Sequence, residues 1–380
     1  MTLFRGNRMD VTLLLDALSK GFADFTWGSL AMIGVGCVLM ALAVVKKYEP
    51  LLLLPIGFGC VLANIGMSNL TGVMKILYDA GIQTEILPLL IFVGVGAMID
   101  FSPLLSQPKM VLLGAAGQIG IYGTLLLAVL LGFPLNQAAS IGVIGAIDGP
   151  TAIFVSTKLA PELLGPIAVA AYSYMSLIPI IQPPIMRLLT TRAERRIRMD
   201  YAPRPVSHAA LVVFPVIVTV VVSVIAPDAA PLIATLMLGN LLRESHVVDR
   251  LSKAAQHEII NVSTLLLGLS IGSTMTATAF LRLDTALILG LGLFAFCLDT
   301  VAGLLFGKLM SVVSGGKINP LIGACGISAF PMAGRLSARM ALDEDPENFI
   351  LMHAMGSNTA GQLGSVIAGG VLLALVLGLR

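Results

Sequence analysis

Apolar segments that are interrupted by glycine and proline restrict the fold of this chain more than any other feature. In residues 141–154, Asp148 stands in an apolar run and is followed directly by Gly149 and Pro150. Proline breaks a regular helix, and broken backbone at membrane depth persists only where it is buried in protein or lines a cavity. A carboxylate is costly in a bilayer and is usually functional there. We therefore predict a cation site at Asp148, at the tip of a broken or re-entrant helix.

The composition indicates the class of protein. Charged residues make up 12% of the 380 residues and the mean hydropathy is +0.95, whereas soluble domains have about 25% charged residues. This predicts an all-α polytopic membrane protein in a lipid bilayer, with roughly nine to eleven transmembrane helices and two broken or re-entrant hairpins in inverted repeats. Basic residues are not interleaved with aromatic ones in any patch, which argues against nucleic acid as a partner.

The distribution of charge between the apolar segments predicts the orientation of the chain. Residues 187–198 contain the densest group of arginines, so this loop is predicted to be cytoplasmic by the positive-inside rule. The apolar stretches 209–225 and 231–242 are predicted to form a hairpin that returns to the same side. Residues 11–18 are predicted to form a short amphipathic helix at the membrane interface.

A weak internal repeat divides the chain. Gly96 and Gly114 are 18 residues apart in similar sequence, and so are Gly272 and Gly290. Applying the offset of 176 residues to Asp148 leads to the other polar segment that is interrupted by glycine and proline. Repeats whose broken helices meet at the bilayer midplane are typical of transporter sites. The predicted division is 1–85 for an interfacial helix and scaffold spans, 86–200 for the first repeat with the Asp148 hairpin, 201–258 for a connecting hairpin and basic loop, and 259–380 for the second repeat with the hairpin of Asn319 and Ser328.

Oxygen-bearing groups in the two broken segments suit Na⁺, a hard cation that prefers several oxygen ligands. Asp148 supplies a carboxylate, whereas Asn319, Ser328 and the carbonyls freed near Gly323 supply neutral oxygens. Each broken segment is followed by an apolar helix with an island of polar residues, which contains Tyr174 in one case and Asn358 in the other. Hydrogen bonding between packed helices is the alternative role for each neutral side chain.

Two further charged residues lie close to these segments or within apolar sequence. Arg335 follows the second segment and suits a carboxylate or another bidentate anion, or alternatively extends to lipid headgroups. Asp299 is a second acid in an apolar segment, where it contributes to a proton or ion path or pairs with a neighbouring helix. No nucleotide-binding motif is present. The chain is therefore predicted to be a secondary transporter or the membrane subunit of a larger assembly.

Several long motifs resemble one known family. They lie at 46–59, 145–154, 158–165, 181–186, 319–323, 328–332 and 353–356. These motifs closely resemble the β subunit of the biotin-dependent sodium-ion-pumping decarboxylases, and the likeness runs from about residue 30 to the C-terminus. The resemblance implies a carboxy-lyase subunit that decarboxylates carboxybiotin and uses the released free energy to export Na⁺ with uptake of a proton. It also implies an α subunit (the carboxyltransferase), a γ subunit, a biotin carrier domain, a homotrimeric core and the cytoplasmic membrane of a bacterium or archaeon.

The resemblance further implies roles for individual residues. The implied ligands of Na⁺ are Asp148, Asn319, Gly323, Ser328 and Tyr174. Asp148 would be the essential acid of this site, and Tyr174 would belong to a second site for Na⁺ or for proton exchange. Arg335 would face carboxybiotin, and Asn358 would lie near it. Asp148, Tyr174 and Arg335 would therefore take part in catalysis.

Two departures from the family pattern leave the acyl substrate of the partner carboxyltransferase open. The segment 64–86 is much shorter than the insertion in oxaloacetate-type members, and Gly145-Ala146-Ile147 replaces the usual Gly-Gly-Ala before the acid. The shorter segment argues against oxaloacetate and leaves methylmalonyl-CoA, glutaconyl-CoA and malonate systems open. The rival functions are a secondary Na⁺/carboxylate symporter and a structural anchor for a soluble carboxyltransferase.

Overall fold

The structure is a computed structural model that describes residues 25–199 and 205–379, and these residues form helices without strands. The longer helices, numbered in chain order, are α1 (Trp27–Val45), α2 (Pro50–Asn64), α3 (Gly72–Tyr78), α4 (Ile86–Met98), α5 (Val111–Ala116), α6 (Ile119–Leu130), α7 (Leu135–Gly142), α8 (Gly149–Leu159), α9 (Leu164–Leu189), α10 (His208–Ile225), α11 (Ala230–Glu244), α12 (Asp249–Ala254), α13 (Ile260–Ser273), α14 (Leu283–Val313), α15 (Met332–Glu344) and α16 (Leu351–Gly378). Short helical segments lie at Asp79–Gln83, Ser102–Ser106, Pro108–Met110, Val143–Ala146, Pro161–Leu163, Arg192–Arg195, Pro227–Ala229, Ala255–Ile259, Ala277–Phe280 and Pro320–Cys325. The predicted all-α polytopic class is confirmed.

Within the described part of the chain, five helices are long and apolar enough to cross a membrane. They are Trp27–Val45, Pro108–Leu130, His208–Ile225, Leu283–Val313 and Leu351–Gly378, and two bent helix pairs raise the number to seven. This is fewer than the roughly nine to eleven spans predicted, because glycine and proline divide other apolar segments into helices that are shorter than the ~20 residues of a full span. Helices α2 and α11, for example, have 15 residues each. The predicted interfacial helix at 11–18 lies outside the described residues.

Glycine contacts reveal how the halves of the chain pack. A side chain at Gly96 of α4 would collide with a backbone carbonyl of α11. Gly272 of α13, its counterpart in the predicted repeat, packs in the same way against the Ile56 carbonyl of α2. Helices α4 and α13 lie side by side, with Gly94 near the end of α4 against Ile260 at the start of α13. These two corresponding helices therefore run in opposite directions, as an inverted repeat requires.

Residues 135–159 form a re-entrant hairpin, which we call the first hairpin. Helix α7 leads into the molecule, the turn Val143–Ala146 follows, and α8 returns. The side-chain amide of Asn136 donates to the Leu159 carbonyl at 2.9 Å, so the two ends of the hairpin lie side by side. Asp148 lies at the interruption between the two helices, as the sequence predicts.

Residues 319–344 form the second hairpin. At its start, the side-chain amide of Asn319 donates to the carbonyls of Arg195 and Ile197, both at 2.9 Å. At its end, the Glu344 carboxylate pairs with the Arg195 guanidinium at 2.6 Å. Both ends of this hairpin therefore lie beside the same basic loop.

The two hairpins enter the molecule from opposite ends of α9 and meet at their tips. The ends of the first hairpin lie beside Glu162, which precedes α9, whereas those of the second lie beside Arg195, which follows α9. The Ser328 amide of the second tip donates to the Ala146 carbonyl of the first at 3.4 Å. The two broken segments are thus in direct contact inside the helix bundle, as their resemblance to paired transporter half-sites predicts.

One end of the bundle, which we call the basic end, carries several basic loops. The loop 192–198 joins the start of α16 at this end through the Asn348 side chain, which donates to the Arg195 carbonyl at 3.0 Å. Gly356, in the second turn of α16, packs against the segment that follows α4, and Arg243 at the end of α11 lies 3.6 Å from Asp100 in that segment. The positive-inside rule predicts that this end faces the cytoplasm.

Candidate cation site

The backbone at the tip of the first hairpin positions Asp148. Ile147 has a φ of 53°, in the left-handed region that β-branched residues rarely adopt, and this turns the chain sharply before α8. A side chain at Gly149 would collide with the ring of Tyr172. Pro150 stands in the first turn of α8, where a helix needs no amide hydrogen from it. Asp148 is therefore held at the start of a helix, where the backbone favours negative charge.

Three neutral side chains contact the Asp148 carboxylate. Its Oδ2 accepts hydrogen bonds from the Thr151 hydroxyl at 2.7 Å, the Gln362 amide at 2.9 Å and the Ser365 hydroxyl at 3.4 Å. Asp148 is 6% exposed, and it forms no ion pair with any residue of the two described ranges. A buried carboxylate without a counter-charge is suited to a cation that supplies one.

A cavity of about 290 Å³ adjoins the carboxylate. Its polar lining consists of Asp148, Glu49, Tyr172, Gln256, Asn261, Thr264, Ser328 and Gln362. Glu49 precedes α2, and Gln256 precedes α13. The start of α13 lies beside the end of α4, which is at the basic end. The cavity therefore extends from Asp148 toward the basic end. Glu49 lies in the loop between α1 and α2, where burial raises the pKa of its carboxyl group.

The donor set favours a monovalent cation. The described residues contain no group of three or more His, Cys, Asp and Glu side chains that could hold a metal ion together. Transition metals are usually bound by such groups, whereas a hard monovalent cation can be held by one carboxylate and neutral oxygens. The hydroxyl and amide oxygens around Asp148 match the second kind of site.

Of the other predicted ligands, Ser328 is the one that lines this cavity. Its hydroxyl donates to the Gly361 carbonyl of α16 at 3.2 Å. A hydroxyl that donates one hydrogen bond keeps lone pairs that can face an ion. The structure therefore brings Asp148 and Ser328 together, although they are 180 residues apart in the sequence.

Asn319 and Gly323 do not line the cavity. The side-chain oxygen of Asn319 accepts from the Leu321 amide at 3.0 Å, which caps the turn at the start of the second hairpin. Gly323 packs against Gly303 of α14 so closely that a side chain on either residue would collide with the backbone of the other. Their role as Na⁺ ligands stays a prediction.

Tyr174 and Arg335 also lie outside the cavity lining. The Tyr174 hydroxyl donates to the Leu289 carbonyl of α14, whereas Tyr172, two residues earlier, lines the cavity. Arg335 is exposed on α15 and forms no ion pair with the described residues. Their predicted roles in proton exchange and in contact with carboxybiotin stay predictions.

Asn358 lies behind the second hairpin rather than in the cavity. Its side-chain amide donates to the carbonyls of Cys325 and Ile327 at 3.2 and 2.7 Å. Two glutamine amides act in the same way on this hairpin, with Gln182 donating to the Ala324 carbonyl at 3.0 Å and Gln118 to the Gly326 carbonyl at 3.2 Å. The carbonyls that the broken backbone frees are thus satisfied by side-chain amides from α16, from α9 and from the interruption between α5 and α6.

Two of the residues that contact Asp148 are not among those predicted from the sequence. Gln362 and Ser365 follow Asn358 by four and seven residues, so all three lie on one face of α16. Polar residues at this helical spacing in an otherwise apolar helix are the signal that would have identified them.

Comparison with known proteins gives one consistent result. Residues 28–376 match the family described as Na⁺-transporting oxaloacetate decarboxylase beta subunit. The chain is 54% identical over 360 residues to the glutaconyl-CoA decarboxylase subunit beta of Acidaminococcus fermentans, covering 94% of this chain and 96% of the relative. It is 53% identical over 357 residues to the methylmalonyl-CoA decarboxylase subunit beta of Veillonella parvula, covering 94% and 95%.

An oxaloacetate-type relative is more distant. The chain is 46% identical to the oxaloacetate decarboxylase beta chain of Klebsiella pneumoniae over 429 aligned positions, covering 96% of this chain and 99% of the relative. The alignment is longer than the 380 residues of this chain, so the relative contains additional residues. This agrees with the expectation that oxaloacetate-type members carry an insertion.

Proposed function

Because this chain belongs to the family of β subunits of Na⁺-transporting decarboxylases, we propose that it binds Na⁺ at Asp148 and couples export of the ion to the decarboxylation of carboxybiotin. The observation that carries this proposal is the buried Asp148 carboxylate, which faces a cavity, contacts three neutral donors and has no counter-charge among the described residues. Na⁺ in the cavity would supply that charge, with Ser328 as a second oxygen ligand.

Exchange of Na⁺ for a proton is the step that we assign to Asp148. Breaking the bond between nitrogen and carboxyl carbon in carboxybiotin releases CO₂ and leaves a nitrogen that takes up one proton, so each decarboxylation consumes a proton. A proton that reaches Asp148 on this path removes its charge and with it the main attraction for Na⁺. Loss of that proton restores the affinity. Tyr174 is the residue that we assign to a second exchange site, outside the cavity, where its hydroxyl contacts α14.

The basic end of the cavity offers groups that suit the ureido ring and carboxylate of carboxybiotin. Gln256, Asn261 and Thr264 provide amide and hydroxyl groups there, and such groups pair with ureido and carboxylate oxygens. We assign to these three the contact with the biotin ring. Arg335 keeps its predicted role at the carboxylate, which requires approach from the exposed face of α15.

The proposed assembly follows from the same chemistry. Carboxybiotin must be delivered on a biotin carrier domain and formed by a carboxyltransferase, so we assign a carrier domain and an α subunit as partners. The family resemblance adds a γ subunit. We also propose a homotrimeric core in the cytoplasmic membrane of a bacterium or archaeon, with the basic end in the cytoplasm.

A coenzyme A thioester is the proposed substrate of the partner carboxyltransferase. The relatives named for glutaconyl-CoA and methylmalonyl-CoA are 54% and 53% identical to this chain, compared with 46% for the oxaloacetate-type chain. The short segment 64–86 supports the same choice. Assay of the purified complex with each acyl substrate tests it, and activity with oxaloacetate alone would contradict it.

Reconstitution of the purified complex tests the proposed function. Addition of the acyl substrate should drive ²²Na⁺ into inverted proteoliposomes, and avidin should abolish the uptake because it sequesters biotin. Avidin-insensitive uptake, or decarboxylation that is indifferent to Na⁺, would contradict the proposal. Solute uptake driven by Na⁺ in liposomes that contain this chain alone would instead support the symporter, which the named relatives do not favour.

A further inference from the structure

Asp299 is a second buried acid and lies apart from the cavity. Its side chain in α14 is 0% exposed and does not line the cavity beside Asp148. One oxygen, Oδ1, accepts a hydrogen bond from the backbone amide of Gly120 in α6. The other, Oδ2, has no hydrogen-bond partner among the described residues. A buried charged oxygen without a donor is unfavourable, so the protonation of this group needs an explanation.

The contact between Asp299 and α6 requires a glycine at position 120. A side chain at Gly120 would overlap the carboxyl group of Asp299, so only glycine admits the acid at this point. Gly120 is the second residue of α6, which begins after an interruption at Gly117 and Gln118. Its amide is therefore one of those at a helix start that have no partner within the helix. The Asp299 carboxyl group therefore lies beside the interruption between α5 and α6, within the membrane-spanning segment Pro108–Leu130.

In the part of the chain that the structure describes, no cationic side chain compensates the Asp299 carboxyl group. The titratable side chains on the elements that pack most closely against α14 are Tyr122, Tyr172, Tyr174, Arg187 and Cys325. Arg187 is the single base in this set, and it is exposed in the last turn of α9. On α14 itself, Lys308 pairs with Glu194 at 3.2 Å. Asp299 forms no ion pair with any described residue.

The surroundings favour the neutral form of the acid. The start of α6 offers only about half of an elementary positive charge, and it reaches one of the two carboxyl oxygens. A Na⁺ ion would need several oxygen ligands. The neighbouring face of α6 offers one, the hydroxyl of Thr124, which lies one turn after Gly120 and has no hydrogen-bond partner in the described structure. A proton needs a single oxygen. We propose that Asp299 is a second ion-binding site of this protein, which holds an exchangeable proton and is neutral in this conformation.

The position of the acid connects this site to both hairpins. Ala295, one turn before Asp299, lies against Gly145 of the first hairpin, where an added Cβ would come within 3.2 Å of it. Gly303, one turn after Asp299, packs against Gly323 of the second hairpin. Gain or loss of the proton therefore acts on the stretch of α14 that both hairpins contact. The proposed function supplies a source for this proton, but the site itself does not depend on it.

Infrared spectroscopy of the purified complex in saturating Na⁺ tests the protonation directly. A protonated carboxyl group has a C=O stretching band that an ionised one lacks. The wild-type minus Asp299→Asn difference spectrum should contain this band, because asparagine keeps an acceptor for the Gly120 amide but has no acid. Asp284→Asn, an exposed acid on the same helix with a 46% exposed side chain, is the matched control and should leave the band in place.

Two outcomes would overturn the proposal. Absence of the band at the pH of activity would show that Asp299 is ionised and acts as a helix cap. A band that disappears when Na⁺ is added would show that the site binds Na⁺ instead. If the asparagine variant does not fold, Thr124→Val serves the same purpose, since removal of the nearby hydroxyl should shift the frequency of the band. An unchanged spectrum in Thr124→Val would count against the site.

Discussion

The two hairpins meet at their tips but satisfy their broken backbones in different ways. In the first hairpin, the interruption presents the Asp148 carboxylate, which Thr151, Gln362 and Ser365 contact beside a cavity. In the second hairpin, the interruption frees carbonyls, and side-chain amides of Gln118, Gln182 and Asn358 bind them. The first tip therefore carries a charge that is available to an ion, whereas the second is neutral and rigidly held.

This difference assigns ion binding to the first tip and stabilisation of the fold to the second. A carbonyl that accepts one hydrogen bond keeps a second lone pair, but the amides already fix its position. We expect that changes at the first tip alter the affinity for Na⁺, and that changes behind the second tip alter the stability of the protein. The predictions below test this separation.

The largest effect is expected for Asp148→Asn. Removing one member of a buried charge pair costs about 3–5 kcal/mol, so stimulation of decarboxylation by Na⁺ should be lost up to concentrations ~100-fold above those that saturate the wild type. The complex should still assemble, because asparagine can keep contacts with the same neighbours. Asp79→Asn, an exposed acid paired with Lys75 at 2.6 Å, is the control and should behave as the wild type. Normal Na⁺ dependence in Asp148→Asn would refute the assignment.

A smaller effect on the same property is expected for Gln362→Leu. Gln362 orients the carboxylate through a hydrogen bond of 2.9 Å, and loss of such orienting partners typically reduces the affinity of a metal site by about 10–100-fold. Titration of decarboxylation with Na⁺ measures the change. Gln137→Leu, near the outer end of the first hairpin, offers a control that should not alter the Na⁺ dependence. Equal effects of the two substitutions would contradict a specific role for Gln362.

Behind the second hairpin, Asn358→Ala should lower stability. It leaves the carbonyls of Cys325 and Ile327 without their donor, and an unsatisfied buried polar group costs about 1–3 kcal/mol. Thermal unfolding of the detergent-solubilised complex measures the loss. Thr359→Ala removes a neighbouring hydroxyl that bonds only within its own helix, to the Met355 carbonyl at 2.8 Å, and should cost less. A change in Na⁺ affinity without a loss of stability in Asn358→Ala would reverse the proposed separation.

The smallest effect is expected at the end of the molecule opposite the basic end. There Lys158 of α8 pairs with Glu85, which precedes α4, at 2.9 Å. The lysine side chain is 34% exposed, and pairs open to solvent contribute about 0.2–1 kcal/mol. Lys158→Met and Glu85→Gln should each lower the unfolding temperature slightly, and the double variant should lower it no further than one of them. Additive losses would show that the two side chains do not stabilise each other.

The sequence identifies the residue of this site whose transfer into a membrane costs the most free energy, which is the acid Asp148. An acid in an apolar run followed by glycine and proline is conspicuous, and it correctly indicates the hairpin and the position of Asp148 at its tip. Binding of Na⁺ by Asp148 stays a prediction. The partners of the acid are harder to find, because Gln362 lies 214 residues away and reaches Asp148 only through the packing of α16 against the first hairpin. The polar sequence around Asn319 predicts an ion ligand, and this role stays a prediction, since the hydrogen bonds of Asn319 cap a turn and join the loop at Arg195.

The most direct test of the account is equilibrium binding of ²²Na⁺ to the purified complex in the absence of acyl substrate. We predict saturable binding in the wild type that weakens as the pH is lowered, because a proton on Asp148 removes the charge that attracts the ion. Asp148→Asn should abolish this binding, whereas Asp79→Asn should retain it. Saturable binding in Asp148→Asn with the same affinity and pH dependence as in the wild type would contradict the claim that this carboxylate is the Na⁺ site.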